Sequence, residues 1–258
     1  MYLHFDKYHG TGNDFVIVNN LRGDVQLTTE QVAFICDRRF GVGADGLMLL
    51  NSHSTFDFEM VYYNADGKPS TMCGNGGRCL AHFAFRNGIQ KEVLVFDAVD
   101  GLHTAIMLPN NWVKLQMTDV LTVQQHTENS FELDTGSPHY VQYVPQLYNL
   151  PVVDQGRAIR NSPTYAAQGI NVNFVEKIDQ FLHVRTYERG VEDETFSCGT
   201  GVTAAAITTA TQQGKYQVAI KTKGGELSVN FTKNADQSFT DVWLSGPASF
   251  VFAGVIEL

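Results

Sequence analysis

Hydrophobic and polar positions along this chain alternate over short stretches far more often than they recur at helical spacing. Three stretches read as helices. Thr28-Thr29-Glu30-Gln31 offers a capping box, Thr28 to Gln31, ahead of Val32, Ile35 and Cys36; Arg38 and Arg39 suit that helix's C-terminus, and Gly41 can end it. A second helix is predicted from near Asn75 to Asn87, with Gly88 as its stop and Leu80, Ala81, Phe83, Ala84 and Phe85 leaving little polar face. A third is predicted from near Thr200 to about Gln213, stopped by Gly214. Val202, Ala204, Ala205, Ala206, Ile207 and Ala210 make it small and apolar nearly all round, so it belongs inside a core.

Most of the remainder reads as strand: Ala44 to Leu50, Glu59 to Tyr63, Glu92 to Phe96, His103 to Leu108 and Val113 to Met117, then Phe181 to Tyr187 and Tyr216 to Lys221. Gly224-Gly225 signals a hairpin into Glu226 to Phe231, followed by Thr240 to Leu244 and Phe250 to Ile256. Many strands with one buried helix per half predict an α+β fold of two domains, each a curved sheet wrapped around a helix. Polar Asp119 to Glu128 is the expected crossover.

The halves share a motif. Cys73-Gly74-Asn75-Gly76 and Cys198-Gly199-Thr200-Gly201 each open an apolar helix. Upstream of each, a β-prone stretch ends in tyrosine plus a polar residue: Tyr63-Asn64 before Cys73 and Tyr187-Glu188 before Cys198. A Gly-containing turn follows in both. This is a weak internal repeat of domain size. A thiol just before a helix start sits where unpaired N–H groups and the helix dipole favour negative charge, which makes a reactive sulfur. Glycine after the thiol lets a substrate approach the backbone. Two such helix starts could hold one carboxylate in a shared set of donors, with the thiols flanking the adjacent carbon. That geometry suits α-proton removal on one face and return on the other, with the donors stabilising the enediolate-like charge.

Composition narrows the partners. A formal net charge of −9 argues against nucleic acid or an anionic membrane as main partner. No apolar run approaches the roughly 20 residues of a membrane span. The N-terminus lacks a secretion-signal pattern, and four cysteines in 258 residues make no disulfide framework, so a cytoplasmic setting is expected. Cys73 and Cys79 lack zinc-type spacing and no metal is expected; Cys36 and Cys79 read as structural thiols. A Cys73–Cys198 disulfide would be an inactive oxidised form.

Several segments resemble diaminopimelate epimerases. They are Lys7-Tyr8-His9-Gly10-Thr11-Gly12-Asn13-Asp14-Phe15, Asn64-Ala65-Asp66-Gly67, Cys73-Gly74-Asn75-Gly76-Gly77-Arg78-Cys79, Tyr187-Glu188-Arg189-Gly190 and the second C-G-x-G, in family order. The resemblance implies a cofactor-independent two-thiol enzyme interconverting LL- and meso-2,6-diaminopimelate for lysine and peptidoglycan synthesis, and a homodimer. It also implies two pseudo-symmetric domains, 1–119 with 247–258 and 120–246, with the site in the cleft between them. Carried over, Cys73 and Cys198 are the acid–base pair. Gly74, Asn75, Gly199 and Thr200 supply donors to the reacting carboxylate. Asn13, Asn64, Asn171, Glu188 and Arg189 hold the substrate, and His139 and Glu188 tune the thiols. Without the resemblance, His139 reads as a loop or packing residue, Glu188 and Arg189 as a solvated charge pair, and Asn13 as turn chemistry.

The chain departs from some relatives in three places. Ser137-Pro138-His139 replaces Asn-Pro-His; Gly46 replaces a glutamine, so no side-chain contact is expected there; and the Gly190–Thr195 loop is one residue longer, with three acids. Competing readings are a proline-racemase-like enzyme, which typically has histidine where this chain has Asn75, a redox sensor reporting through the two thiols, and a phenazine-biosynthesis-type isomerase, which is expected to lack the paired cysteines.

Overall fold

Residues 1–70 and 72–258 are described by the computed structural model, and they fall into two units: Met1–Leu115 with Gly246–Leu258, and Gln116–Ser245. The first unit contains β1 (Tyr2–Gly10), β2 (Asn13–Asn20), β3 (Gly46–Asn51), β4 (Phe58–Asn64), β5 (Val93–Ala98), β6 (Gly101–Met107) and β7 (Trp112–Gln116), with the last strand of the chain, β17 (Ser249–Glu257). Its sheet runs β17-β1-β2-β3-β4-β5-β6-β7. Successive pairings are antiparallel, antiparallel, parallel, antiparallel, parallel, antiparallel, antiparallel. Parallel neighbours require a crossover. Helix α1 (Thr29–Cys36) supplies it between β2 and β3, and α2 (Gly74–Arg86) between β4 and β5.

The second unit contains β8 (Val123–Thr127), β9 (Ser130–Asp134), β10 (Pro138–Tyr143), β11 (Asn171–Ile178), β12 (Phe181–Glu188), the short β13 (Asp193–Thr195), β14 (Gly214–Thr222), β15 (Gly225–Lys233) and β16 (Phe239–Pro247). Its order β8-β9-β10-β11-β12-β14-β15-β16 repeats the same seven pairing senses. Helix α3 (Val152–Arg160) crosses between β10 and β11, and α4 (Gly199–Ile207) between β12 and β14. The repeat glimpsed around the two cysteines therefore extends to the whole topology.

In each unit the second crossover helix lies inside the sheet. Residues Gly74 to Ala84 of α2 are all buried, against β1, β2, β3, β4 and β6. The small side chains of α4 let it sit against β10, β11, β12, β14 and β15, in a core with Val175, Val184, Val229 and Leu244. Among the described residues no helix is long and apolar enough to cross a membrane.

The capping box forms: Gln31 N donates to Thr28 Oγ1 at 3.3 Å, and Thr28 N to Gln31 Oε1 at 2.9 Å. That helix stops at Cys36, earlier than its basic residues suggested, because Asp37 Oδ1 takes the N–H groups of Arg39 and Phe40, each at 2.7 Å. Arg38 thereby leaves the helix and turns to Asp14 and Asp45. The third predicted helix ends at Ile207 rather than near Gln213. Thr208 and Thr209 turn their hydroxyls onto the carbonyls of Ala205 and Ala206, each at 2.7 Å, competing with helix continuation. The polar stretch from Asp119 to Glu128 holds β8, which pairs with β9. The hydrophobic pattern did not reveal β1, β2, β8 to β11, β13 or α3. Several of these carry polar residues on both faces, and α3 includes Gly156, where a Cβ would lie 2.3 Å from that of Tyr187.

Candidate active site

Cys73 and Cys198 occupy the same place in their units: each is the extended residue that N-caps the buried helix (φ −119°, ψ 123° and φ −109°, ψ 114°). Their carbonyls accept the first helical hydrogen bonds, from Gly77 N at 2.7 Å and Val202 N at 2.9 Å. The first-turn N–H groups of α2 and α4, Gly74-Asn75 and Gly199-Thr200 among them, have no carbonyl one turn back within the helix and point out of its start.

The last glycine of each C-G-x-G is a packing glycine. A Cβ on Gly76 would lie 2.0 Å from Met48 Cε, and one on Gly201 would lie 2.3 Å from Asn173 Oδ1. Met48 on β3 and Asn173 on β11 are equivalent positions, so each helix start rests directly on the same strand of its sheet. Asn173 is locked in hydrogen bonds and cannot yield as a methionine tip can. Gly201→Ala is therefore expected to cost about 1–3 kcal/mol in urea unfolding, and Gly76→Ala less.

In the first unit the Cys73 thiol donates to Asn13 Oδ1 at 3.5 Å, and Asn75 Nδ2 donates to the same oxygen at 3.3 Å. Asn13 follows the two-residue hairpin turn Thr11-Gly12, whose positive φ values of 50° and 89° match the tight turn that a two-residue loop requires. The Asn13 amide is held from behind: its Nδ2 donates to Asp45 Oδ2 at 2.7 Å, and Arg38 grips Asp45 Oδ1 at 2.7 Å. Asn64, at the exposed end of β4, opens the turn closed by Gly67 N to Asn64 O at 2.9 Å.

Asp45, Arg78 and Tyr62 carry no sequence signal of a role in the site. Arg78 is fully buried and donates to Gly74 O at 3.1 Å and to Asn75 Oδ1 at 3.0 Å. Tyr62 explains Gly46. A Cβ at Gly46 would lie 2.5 Å from the Tyr62 ring, which stands edge-on to Phe15 at 6.0 Å, so aromatic volume fills the place of the missing side chain.

An ion cluster supports this corner. Lys7, nearly buried, meets Asp14 at 2.7 Å and also donates to the Gly43 carbonyl; Arg38 meets Asp14 through both terminal nitrogens, at 3.0 and 2.7 Å. Burial pushes the Asp14 pKa up, but the hydrogen bonds and charges of Arg38 and Lys7 outweigh it and hold the carboxyl far below the usual range. The resulting stabilisation is present above the unfolded-state pKa, near 3.9, and is lost as pH falls through the folded value. Asp14→Ala is expected to cost about 3 kcal/mol at neutral pH, by stranding Lys7, with the gap to wild type narrowing in acid. Urea unfolding of both proteins at neutral and acid pH measures it.

In the second unit His139 on β10 lies opposite Asn171 on β11, as Phe15 lies opposite Gly46. The His139 ring is fully buried; burial and the Arg189 charge lower its pKa to about 3. Asn171 donates to Ser137 Oγ at 2.9 Å and to the Pro138 carbonyl at 3.2 Å, and accepts Arg189 N at 2.9 Å. Ser137 thus bonds to Asn171 despite its short reach, and both amide hydrogens of Asn171 are engaged inside the unit. Arg189 also donates to the Gln168 carbonyl at 3.1 Å. Glu188, half-buried, ends β12. Cys198 is buried with its sulfur 3.4 Å from Thr200 Oγ1, and Thr135 Oγ1 donates to Thr200 O at 2.9 Å.

The Gly190–Thr195 loop is pinned. Glu192, at φ 60°, takes Gly190 N and Arg160 Nε, each at 3.1 Å, and the Tyr187 hydroxyl at 3.0 Å. Glu194 holds Arg185 through two bonds of 2.7 and 2.8 Å. Two of its three acids thereby brace the segment between Arg189 and Cys198.

Comparison with known proteins agrees with this layout. The chain is 48% identical over 255 residues to the diaminopimelate epimerase of Flavobacterium psychrophilum, covering 97% of this chain and 98% of that protein. Among solved structures it resembles a phenazine biosynthesis protein of the PhzF family from Bacillus anthracis (TM-score 0.77, 14% identity, all of both chains covered). It also resembles a hydroxyproline epimerase from Agrobacterium vitis (TM-score 0.71, 16% identity, 100% of this chain and 93% of that one). At such identities these two likenesses speak to the fold alone, that of two sheet-wrapped α+β domains. The diaminopimelate epimerase profile matches residues 5–123 and 131–251, and with the repeated cysteine-capped helices already described, the chain belongs to the diaminopimelate epimerase family.

Proposed function

We propose that this protein interconverts LL- and meso-2,6-diaminopimelate without a cofactor, with Cys73 and Cys198 as the two acid–base groups. The observation that carries the reading is the repetition, in both units, of a cysteine capping the start of a buried helix. One cysteine, as thiolate, takes the α-proton; the C–H electron pair passes into the carboxylate as an enediolate. The other cysteine, as thiol, delivers a proton to the opposite face, and the two sulfurs end with their protonation states exchanged. Only one sulfur is anionic at a time, because two neighbouring anions repel. The N–H groups of Gly74, Asn75, Gly199 and Thr200 stabilise the developing charge. Asn13, Asn64, Asn171, Glu188 and Arg189 hold the distal amino acid end, where a carboxylate wants Arg or amide donors and an ammonium wants oxygen acceptors. His139 and Glu188 adjust the thiols.

Incubation of the reduced protein with LL-diaminopimelate in deuterated water is expected to yield meso product with deuterium at the inverted carbon. No exchange, or turnover of proline or hydroxyproline with none of diaminopimelate, sinks the proposal. Reactive thiols need a reducing compartment, which supports a cytoplasmic enzyme of lysine and peptidoglycan precursor synthesis. A homodimer is supported by β17, which exposes Phe250, Val251, Phe252 and Val255. Sedimentation equilibrium is expected to give twice the chain mass, and Val251→Glu with Val255→Glu to return the monomer mass; a monomeric wild type refutes the dimer.

A further inference from the structure

The two nitrogens of His139 have different surroundings. Nδ1 lies 3.1 Å from Asn173 Nδ2, whereas Nε2 has no hydrogen-bond partner among the described residues although the ring is fully buried. The direction of the first bond follows from the other bonds of Asn173. Its Nδ2 also lies 3.1 Å from the Tyr140 carbonyl oxygen, which can only accept, and its Oδ1 takes the Thr186 hydroxyl at 2.9 Å. Turned over, the amide would press its oxygen against the Tyr140 carbonyl. Nδ2 is therefore the donor, and Nδ1 of His139 must accept with its lone pair. A neutral imidazole that accepts at Nδ1 carries its only proton at Nε2.

A second proton on the ring would set N–H against N–H at Asn173. Burial and the Arg189 charge oppose it as well. Among the described residues Arg189, beyond the end of β12, acts on the ring by its charge; Asn173 on β11, Thr186 on β12 and the register partner Leu133 on β9 are uncharged. With no lone pair at Nε2, the ring cannot take a proton there.

We propose that Asn173 is a positioning residue that locks His139 with its proton on Nε2, so that the imidazole serves the site as a neutral hydrogen-bond donor to an anion and not as a base. The anions are those of the epimerase reading, on which this inference rests: a cysteine thiolate or the substrate carboxylate with its developing enediolate charge. The buried N–H that lacks an acceptor in the free protein gains one when such an anion forms or binds.

Nitrogen-15 NMR of the histidine-labelled free enzyme, from about pH 5 to 9, tests this directly. His139 is expected to show a protonated ε2 and an unprotonated δ1 nitrogen throughout; a δ1-protonated or titrating ring overturns the proposal. Asn173→Asp sets a carboxylate against Nδ1 and is expected to bring a proton onto that nitrogen and a new ionisation into the kcat profile. An unchanged His139 spectrum in that variant overturns the locking role. His139→Gln, which keeps an N–H donor but cannot be a base, is expected to lose about tenfold in kcat, and His139→Leu about a hundredfold to a thousandfold; equal losses refute the donor role. Deuterium exchange by the same wild-type preparation separates the failures. A titrating His139 in an exchanging enzyme refutes this proposal alone, whereas absent exchange refutes the epimerase reading whatever the ring's state.

Discussion

Cys73→Ala and Cys198→Ala are each expected to lower epimerisation by about a thousandfold or more, with the fold intact. Inversion at carbon needs a base on one face and an acid on the other, so neither sulfur can stand in for its partner. Neither cysteine caps its helix through its side chain, so alanine removes no capping bond, and thermal unfolding should move by no more than a few degrees. The single variants should also separate exchange from inversion. A surviving thiolate can take the α-proton from its own face and return a solvent-derived one to the same face. Each variant is thus expected to wash deuterium into one stereoisomer with retention, the two variants choosing opposite isomers. Chiral analysis of products formed in deuterated water reads both outcomes. Wild-type rates in either variant overturn the two-base assignment.

Arg78→Met is expected to lower kcat by about a hundredfold while changing stability little. Arg78 is a fully buried guanidinium whose pKa is lowered by burial. It donates to Asn75 Oδ1, Asn75 donates to Asn13 Oδ1, and the Cys73 thiol donates to that same oxygen. The chain of bonds sets both the Cys73 sulfur and the amide beside it. Methionine fills similar length but holds nothing, and displacements of about 1 Å at a reacting group can cost a hundredfold. Stability is spared because removal of a desolvated charge offsets the lost hydrogen bonds. Steady-state kinetics with thermal unfolding tests the split, and slower alkylation of Cys73 at neutral pH is expected alongside. A variant that unfolds at wild-type temperature and turns over at wild-type rate removes Arg78 from the site.

The legible and illegible parts of this protein divide by range. The capping box at Thr28, the buried character of α2 and α4, and the place of both cysteines at helix starts are local, and the residues within one or two turns decide them. Strands β1 and β2 escaped the pattern because Asp6, Lys7, His9, Asn13 and Asp14 interrupt their apolar positions; folding answers those polar groups with partners such as Arg38 and Asp45 from the other end of a crossover. Gly46 shows the same limit. Sequence could say that a side chain was missing there, but not that the Tyr62 ring, on the neighbouring strand, fills its volume.

By itself the sequence determined the family, the two-domain sheet-and-helix design and the paired thiols at helix starts, since propensity, apolar period and short motifs are properties of neighbouring residues. Only the tertiary structure decided which atom of each polar side chain gives a proton and which takes one: Asn13 turned by Asp45, Asn75 held by Arg78, His139 set by Asn173. A buried amide or imidazole has two chemically different ends. Which one faces the site depends on carbonyls and hydroxyls that come from distant strands and meet it only when the sheet closes around the helix.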